Sequence, residues 1–597
     1  MDEPQRRHRI QRALLLALLL ATFVAVVLRD RPIPGGFGVD GSYYVHVARH
    51  VADGDGLVTR VSMHNQGLRE LPSPATVYPL WPLVLGLGGR LIGVELAAIA
   101  LPIVLAAVAL SLLYALANAL ARGFGPRADV LASLGPLEVT YGHVAVLLLA
   151  SSRSFVDATL QPLTEPLAFT MLLASLLALE RALGSTRPLG WAVACGALAA
   201  GAYLTRYQLA AAIPAVVVAL ALAARRERRF VASVLGALAG AALVLAPWIV
   251  HLAARVGDLN PALLVDFAAH RETPELPPGP VSLGGDALAS IAAGFLPGAP
   301  SRVSYVARFG IAALAVPLAT LVALGQRLVS GRWPLAGRSA DLAVAVVLVG
   351  LGSLLPGHLS PLLNARHRLP FILLVAVALP VVGHGLLAPQ GDRAARTRWR
   401  ALVAGILLVV IALPAAGALP RSRGGRSRVL ELIAPPPAHD VLAAAWLDRN
   451  AKLVAMVIPQ RLAALTTSTG FHWIGCRSAP SDVRALLEHL PIEMVVVRQS
   501  QRRCRWASSL PPPRDALVEL GTGPDAIAVY PAAVVRSSLT HVGDDDRRRR
   551  RDRRRKRRSP AQFNEAPAHS EASARPSPPA PVASRRPCDA GASCSLA

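Results

Sequence analysis

The segment "GVDGSYYVHVARHVADGDG" (38–56) places an aspartate about twelve residues beyond an apolar stretch that ends near Leu28. A carboxylate beside a lipid phase can take a proton from a hydroxyl, and Asp40 is the candidate general base. Asp40 or Ser42 can equally cap a helix by accepting from free backbone N–H groups. Tyr44, Val47, Ala48 and Val51 follow at helical spacing, which predicts a short amphipathic helix lying at the membrane interface. Asp53 and Asp55, in "DGDG", read as turn residues.

Three further groups sit where ionisable side chains are costly. "SRSFVDATLQPLTEPLAFTM" (152–171) puts Asp157 in an outer loop and Glu165 at the start of the next apolar run. Glu165 there either answers the helix dipole or faces a cavity and orients a polar substrate. Arg206, in "LTRYQL", stands near the end of another apolar run, where it can snorkel to headgroups. "PGHLSPLLNARHRLPFILL" (356–374) gathers His358, Asn364, Arg366, His367 and Arg368 at one span edge. Such a cationic cluster calls for an anion, either phospholipid or a lipid-linked phosphate.

The elements that hold these groups are membrane spans. The 597 residues are 53% hydrophobic, and the mean hydropathy is +0.45. Both values indicate a polytopic α-helical membrane protein. Candidate spans are roughly 10–28, 96–119, 128–150, 163–180, 189–206, 208–224, 230–252, 305–325, 341–356, 369–387 and 401–418, about eleven crossings. The first has no small-residue cleavage site and reads as an uncleaved anchor. "VYPLWPLVLGLGGRLIG" (77–93) is short and broken by prolines and glycines, so it is interfacial or re-entrant.

Orientation follows from basic residues in short cytoplasmic loops. With the amino terminus inside, the inner loops carry Arg122 and Arg127, Arg181 and Arg187, "RRERR" (225–229), Arg327, Arg332 and Arg338, and Arg393 to Arg400. The long outer loops, 29–75 and 253–302, are balanced or acidic. The expected location is the plasma (inner) membrane. The expected organisation is an anchor (1–28), a first extracytoplasmic loop (29–95), a multi-span domain (96–418), a small extracytoplasmic α/β domain (420–532) and a disordered tail (540–597).

In the α/β region, "HDVLAAAWLDRN" and "SDVRALLEHL" predict helices, and "KLVAMVI", "IEMVVV" and "AIAVY" predict strands. Cys476 and Cys504 lie there, where an oxidising compartment permits a disulfide. The five cysteines have no metal-ligand spacing, and no cofactor is called for. The net charge of +25 owes +10 to Arg547–Arg558, so it does not imply nucleic-acid binding.

These motifs, taken in order, resemble the polytopic GT-C glycosyltransferases that use polyprenyl-phosphate sugars, the group that includes aminoarabinose transferases and protein O-mannosyltransferases. The resemblance is carried by "DGSYYVHVARHVADGDG", "PATVYPLWPLVLGL", "TEPL", "LTRYQ", "RHRLP" and "IEMVVV". It implies an inverting transfer from a polyprenyl-phosphate-linked sugar to an extracytoplasmic glycan, lipid or protein hydroxyl. It maps the catalytic base onto Asp40, a second polar site onto Glu165, and phosphate-binding arginines onto Arg206 and Arg366 or Arg368. Tyr44, Asp157 and His367 complete the expected substrate-binding set. Asp40 lacks the adjacent second acid of protein mannosyltransferases, which puts a protein acceptor in doubt. The rival reading is a transporter or flippase for a lipid-linked or anionic solute, which would place ionisable groups at mid-bilayer. A scaffold using the basic tail on anionic lipid or nucleic acid explains the tail and little else.

Overall fold

The computed structural model describes residues 3–29, 39–62, 71–75, 79–123, 128–134, 137–150, 153–256, 338–359, 438–457 and most of 462–539. Of the expected spans, 305–325, 369–387 and 401–418 lie outside the described residues, as do the tail and the cluster at Asn364, Arg366, His367 and Arg368.

Helix α1 (Glu3–Arg29) leads to α2 (Val39–Asp53), a helix where the apolar periodicity predicts one. After two-residue strands β1 (Val58–Thr59), β2 (Val61–Ser62) and β3 (Ser73–Pro74) come α3 (Leu80–Ile92) and α4 (Val94–Arg122). Arg90 of α3 donates to the carbonyls of Val51 (2.8 Å) and Ala52 (3.0 Å). It thereby adds donors to the carbonyls at the end of α2.

The expected span at 128–150 is corrected. Strands β4 (Val130–Leu134) and β5 (Leu137–Thr140) pair antiparallel, and only then does helix α5 (Tyr141–Ala150) begin. Arg12 of α1 fixes the strand pair, donating to Glu138 at 2.6 and 2.9 Å and to Asp129 at 3.0 Å. Two carboxylates beside an arginine cannot enter a lipid core, so the apolar stretch is cut at Glu138.

Helix α6 (Arg153–Leu160) follows α5. His143 Nε2 lies 3.1 Å from the Arg12 carbonyl, whereas Phe155 stacks on Phe23 with ring centroids 5.7 Å apart. Helices α5 and α6 therefore run alongside α1 in the same direction. Asp157, expected in a loop, lies within the eight-residue helix α6.

Four long helices come next: α7 (Glu165–Gly184), α8 (Pro188–Thr205), α9 (Ala212–Arg226) and α10 (Val231–His251). In all, six described helices are long and apolar enough to cross a membrane. Small residues set the α8–α10 spacing. A Cβ at Gly196 would fall within the Ala237 carbonyl, and one at Gly240 within the Val193 carbonyl. Backbones approach this closely only where side chains are absent.

Helix α11 (Arg338–Leu359) begins beside the carboxyl ends of earlier helices. Arg226 pairs with Asp341, and a Cβ at Gly184 would meet Arg338 Nη1 at 2.8 Å. The carboxyl ends of α7 and α9 and the start of α11 thus share one end of the bundle, opposite to Glu165 and Arg206.

The carboxyl-terminal region is a three-layer α/β unit. Its sheet has the order β2-β7-β6-β8-β10-β9, with β6 (Leu453–Met456), β7 (Gly470–Trp473), β8 (Met494–Arg498), β9 (Val518–Leu520) and β10 (Ile527–Pro531). Alternation fills both faces. Val454, Met456, Val496 and Val529 pack with Ala443 and Leu447 of helix α12 (Ala438–Asn450). Ala455, Val495, Val497 and Tyr530 pack with Val483 and Leu487 of α13 (Pro480–His489). Both helices and three of the strands coincide with those expected from periodicity. Cys476 and Cys504 are joined by a disulfide.

The sheet's edge strand β2 comes from the segment after α2. Val61 aligns with Phe471 in parallel register, and Phe471 N–H donates to the Arg60 carbonyl at 2.8 Å. Arg60 Nη1 donates to the Ser468 carbonyl at 2.9 Å.

Candidate functional site

Helix α7 starts where "QPLTEPL" supplies a proline at its first turn and an acid at its first residue, Glu165. The preceding chain is held by Trp81 of α3, which donates from Nε1 to the Pro162 carbonyl at 2.7 Å. Thr170 donates to the Leu105 carbonyl at 2.9 Å and locks the first turns of α7 against α4.

Helix α8 stops at Thr205 because Arg206 turns to an extended conformation before a 3₁₀ turn over Tyr207–Ala211. That break turns the Arg206 side chain inward. It does not snorkel, as an arginine at a span edge could have done; its side chain is 4% exposed, and Glu165 is 1% exposed. Arg206 Nη1 lies 2.6 Å from Glu165 Oε1.

Around this pair, Arg206 Nε donates to Gln208 Oε1 at 2.9 Å and Nη1 to Thr164 Oγ1 at 3.3 Å. Thr164 in turn donates to Glu165 Oε2 at 3.4 Å. Two atoms remain. Arg206 Nη2 has no hydrogen-bond partner among the described residues, and neither does Glu165 Oε1, whose close contact with Nη1 is a charge pair out of hydrogen-bond alignment.

Helix α2 lies at the same end of the bundle. Leu57, just beyond α2, and Leu80, at the start of α3, pack with Leu204, Trp248 and Leu252. Asp40 is half-buried in the first turn of α2, where a carboxylate is favoured by the dipole. Tyr44 is 4% exposed and sits in the apolar core, with the Tyr43 ring edge-on at 5.8 Å. The helix is tied to the α/β sheet through His46, whose Nε2 accepts from the Arg60 backbone N–H at 3.1 Å. Beyond it, Gly54 and Gly56 adopt φ of +99° and +83°, the turn that "DGDG" predicts. Asp55 contacts His50 Nδ1 at 2.9 Å.

The structure therefore brings Glu165 and Arg206 into contact and puts the Asp40 helix at their end of the bundle. It places Tyr44 in the core and Asp157 in α6. Thr164, Gln208, His46 and Arg60 are polar partners that sequence reasoning did not single out. "TE" and "RYQ" held the clue for the first two, because polar residues flanking a buried charge are its cheapest partners. Among the described residues, no three His, Cys, Asp or Glu side chains gather in a way that could hold a metal ion.

No protein-family model matches the chain, and no curated protein matches it. Among solved structures it is similar to the archaeal oligosaccharyltransferase AglB from Archaeoglobus fulgidus, in complex with an inhibitory peptide and a dolichol-phosphate. The identity is 13% over 83% of this chain and 70% of that one, with a TM-score of 0.45. It is also similar to ArnT from Cupriavidus metallidurans bound to undecaprenyl phosphate, at 15% identity over 87% and 97% and a TM-score of 0.48. A third similarity is to the arabinofuranosyltransferase AftD from Mycobacteria, at 17% identity over 81% of this chain and 35% of that one, TM-score 0.41. At such scores these likenesses assign no activity to the chain.

Proposed function

We propose that the protein is a membrane glycosyltransferase that moves a sugar from a polyprenyl-phosphate donor to a hydroxyl outside the membrane. The reading rests on the order of sequence motifs. The structural observation that supports it is a buried acid–base pair, Glu165 with Arg206, at the bundle end that carries the Asp40 helix. Polar groups collected at one end suit a substrate with a polar head and a lipid tail. A transport path would need them near mid-bilayer.

In this reading Asp40 accepts the proton of the acceptor hydroxyl, and that oxygen attacks the anomeric carbon from the face opposite the phosphate. The anomeric C–O bond breaks and polyprenyl phosphate departs, its charge met by Arg366, His367 and Arg368. The configuration inverts. The glycosyl phosphate bond supplies the driving force, so no nucleotide sugar or ATP is needed. The cytoplasmic amino terminus follows from the basic inner loops. The Cys476–Cys504 disulfide suits an α/β unit in an oxidising compartment.

Mass spectrometry of envelope glycans and polyprenyl-linked lipids from a deletion strain tests the function. Loss of one sugar from the glycans with build-up of its lipid-linked donor supports the transferase. Unchanged glycans would overturn it.

A further inference from the structure

Helix α2 carries Asp40 in its first turn and is tied down along the rest of its length. Arg49 pairs with Glu95 of α4, and Arg90 of α3 donates to the Val51 and Ala52 carbonyls. These ties join α2 to the membrane bundle. His46 joins it to the α/β sheet, because its Nε2 accepts from the Arg60 backbone N–H at 3.1 Å. The Arg60 carbonyl in turn accepts from Phe471 N–H at 2.8 Å, and Arg60 Nη1 donates to the Ser468 carbonyl at 2.9 Å. One residue, Arg60, is thus bonded to α2 on one side and to the sheet on the other.

Of these ties, the one at His46 depends on a proton exchanged near neutral pH. Arginine does not titrate there, and carboxylates titrate well below imidazoles. A ring nitrogen that accepts from an N–H carries no proton; protonation turns Nε2 into a donor facing a donor. His46 is 2% exposed, so water is kept from replacing the lost bond. The charged and titratable groups on the elements packed around α2 are Arg90, Glu95, Asp55 and Arg60, and those of α2 itself are Asp40, Arg49, His50 and Asp53. Glu95 is taken by Arg49, and Asp55 by His50 Nδ1 at 2.9 Å. The His50 ring stands edge-on to His46 with centroids 4.9 Å apart, and His472 lies on β7 opposite Ser62.

We infer that His46 is a positioning residue for Asp40: neutral, it ties the Asp40 helix to the α/β sheet, and protonation releases the tie. Asp40 lies six residues earlier, about 9 Å along the same helix, so a shift of α2 at His46 is carried to it. The part played by Asp40 rests on the proposed transfer, whereas the tie itself does not. The sign follows from the acceptor role: the tie is complete at neutral pH and is lost as the pH falls through the His46 titration.

Hydrogen exchange of the full chain in nanodiscs reads the tie without turnover. Protection relative to the intrinsic exchange rate is measured at about pH 7.5 and about pH 5 in peptides covering 57–62 and 469–474. His46→Gln offers an amide oxygen that accepts at both pH values, and His46→Phe keeps a ring without an acceptor. In wild type, protection over 57–62 is expected to fall about tenfold or more at the lower pH. It should stay high at both values in His46→Gln and low at both in His46→Phe, while α7 and α8 remain protected in all three proteins. In a transfer assay, wild type should lose kcat at the lower pH with KM unchanged, and His46→Gln should lose less.

Equal protection of wild type at the two pH values would overturn the inference, as would an equal fall in His46→Gln. Protection that behaves as expected while kcat follows the same pH profile in wild type and His46→Gln would remove the link to Asp40. Absence of transfer by wild type at either pH would instead defeat the transfer reading and leave the tie in place.

Discussion

Removing one member of the Glu165–Arg206 pair should cost far more than removing both. At 2.6 Å, unit charges attract by about 6 kcal/mol at an effective dielectric of about 20. Desolvating each ion costs several kcal/mol, so the pair itself adds little net stability. Arg206→Met strands a carboxylate that is 1% exposed, and Glu165→Leu strands a guanidinium that is 4% exposed. Each single change is expected to destabilise by about 3–5 kcal/mol. Glu165→Leu with Arg206→Met should cost only about 1–2 kcal/mol, mainly from the hydrogen bonds lost at Gln208 and Thr164. The expected coupling is therefore roughly 4–9 kcal/mol. SDS-induced unfolding of the full chain in mixed micelles, followed by tryptophan fluorescence, completes the cycle. Single effects that add within about 0.5 kcal/mol would refute the buried pair.

Other perturbations probe the scaffold. Gly196→Val or Gly240→Val should drive α8 from α10 and reduce the folded yield, checked by size-exclusion profile and Tm, because each new side chain meets a backbone carbonyl. Arg12→Met removes the common partner of Asp129 and Glu138, and hydrogen exchange should rise across β4–β5 while α7 and α8 stay protected. Cys476→Ser with Cys504→Ser should lower the stability of the α/β unit by about 2–4 kcal/mol, seen as faster proteolysis between these positions. Arg60→Met should loosen the β2–β7 junction, and hydrogen exchange at Phe471 reports it.

Much of this was legible locally. The apolar spacing behind Asp40 predicts α2, the proline and acid of "TEPL" predict the start of α7, and period-two runs predict β6, β8 and β10. Local patterns report on neighbours three or four residues away. They are silent on Arg12 meeting Glu138, or on Val61 pairing with Phe471 some four hundred residues later. The apolar window from 128 to 150 hid the strand pair because its two acids are diluted by aliphatic neighbours. Arg206 illustrates the same limit. Its position marks it as an ion near a span edge, but only the break after α8 brings it against Glu165.

Asp40→Asn keeps the size of the side chain and its place in the first turn of α2 but removes the carboxylate that can accept a proton. In membrane vesicles supplied with polyprenyl-phosphate sugars extracted from the deletion strain, wild type is expected to transfer sugar to the envelope acceptor. The variant, inserted at equal level, should be slower by about a hundredfold or more. Transfer by Asp40→Asn at the wild-type rate would contradict the assignment of Asp40 as the base.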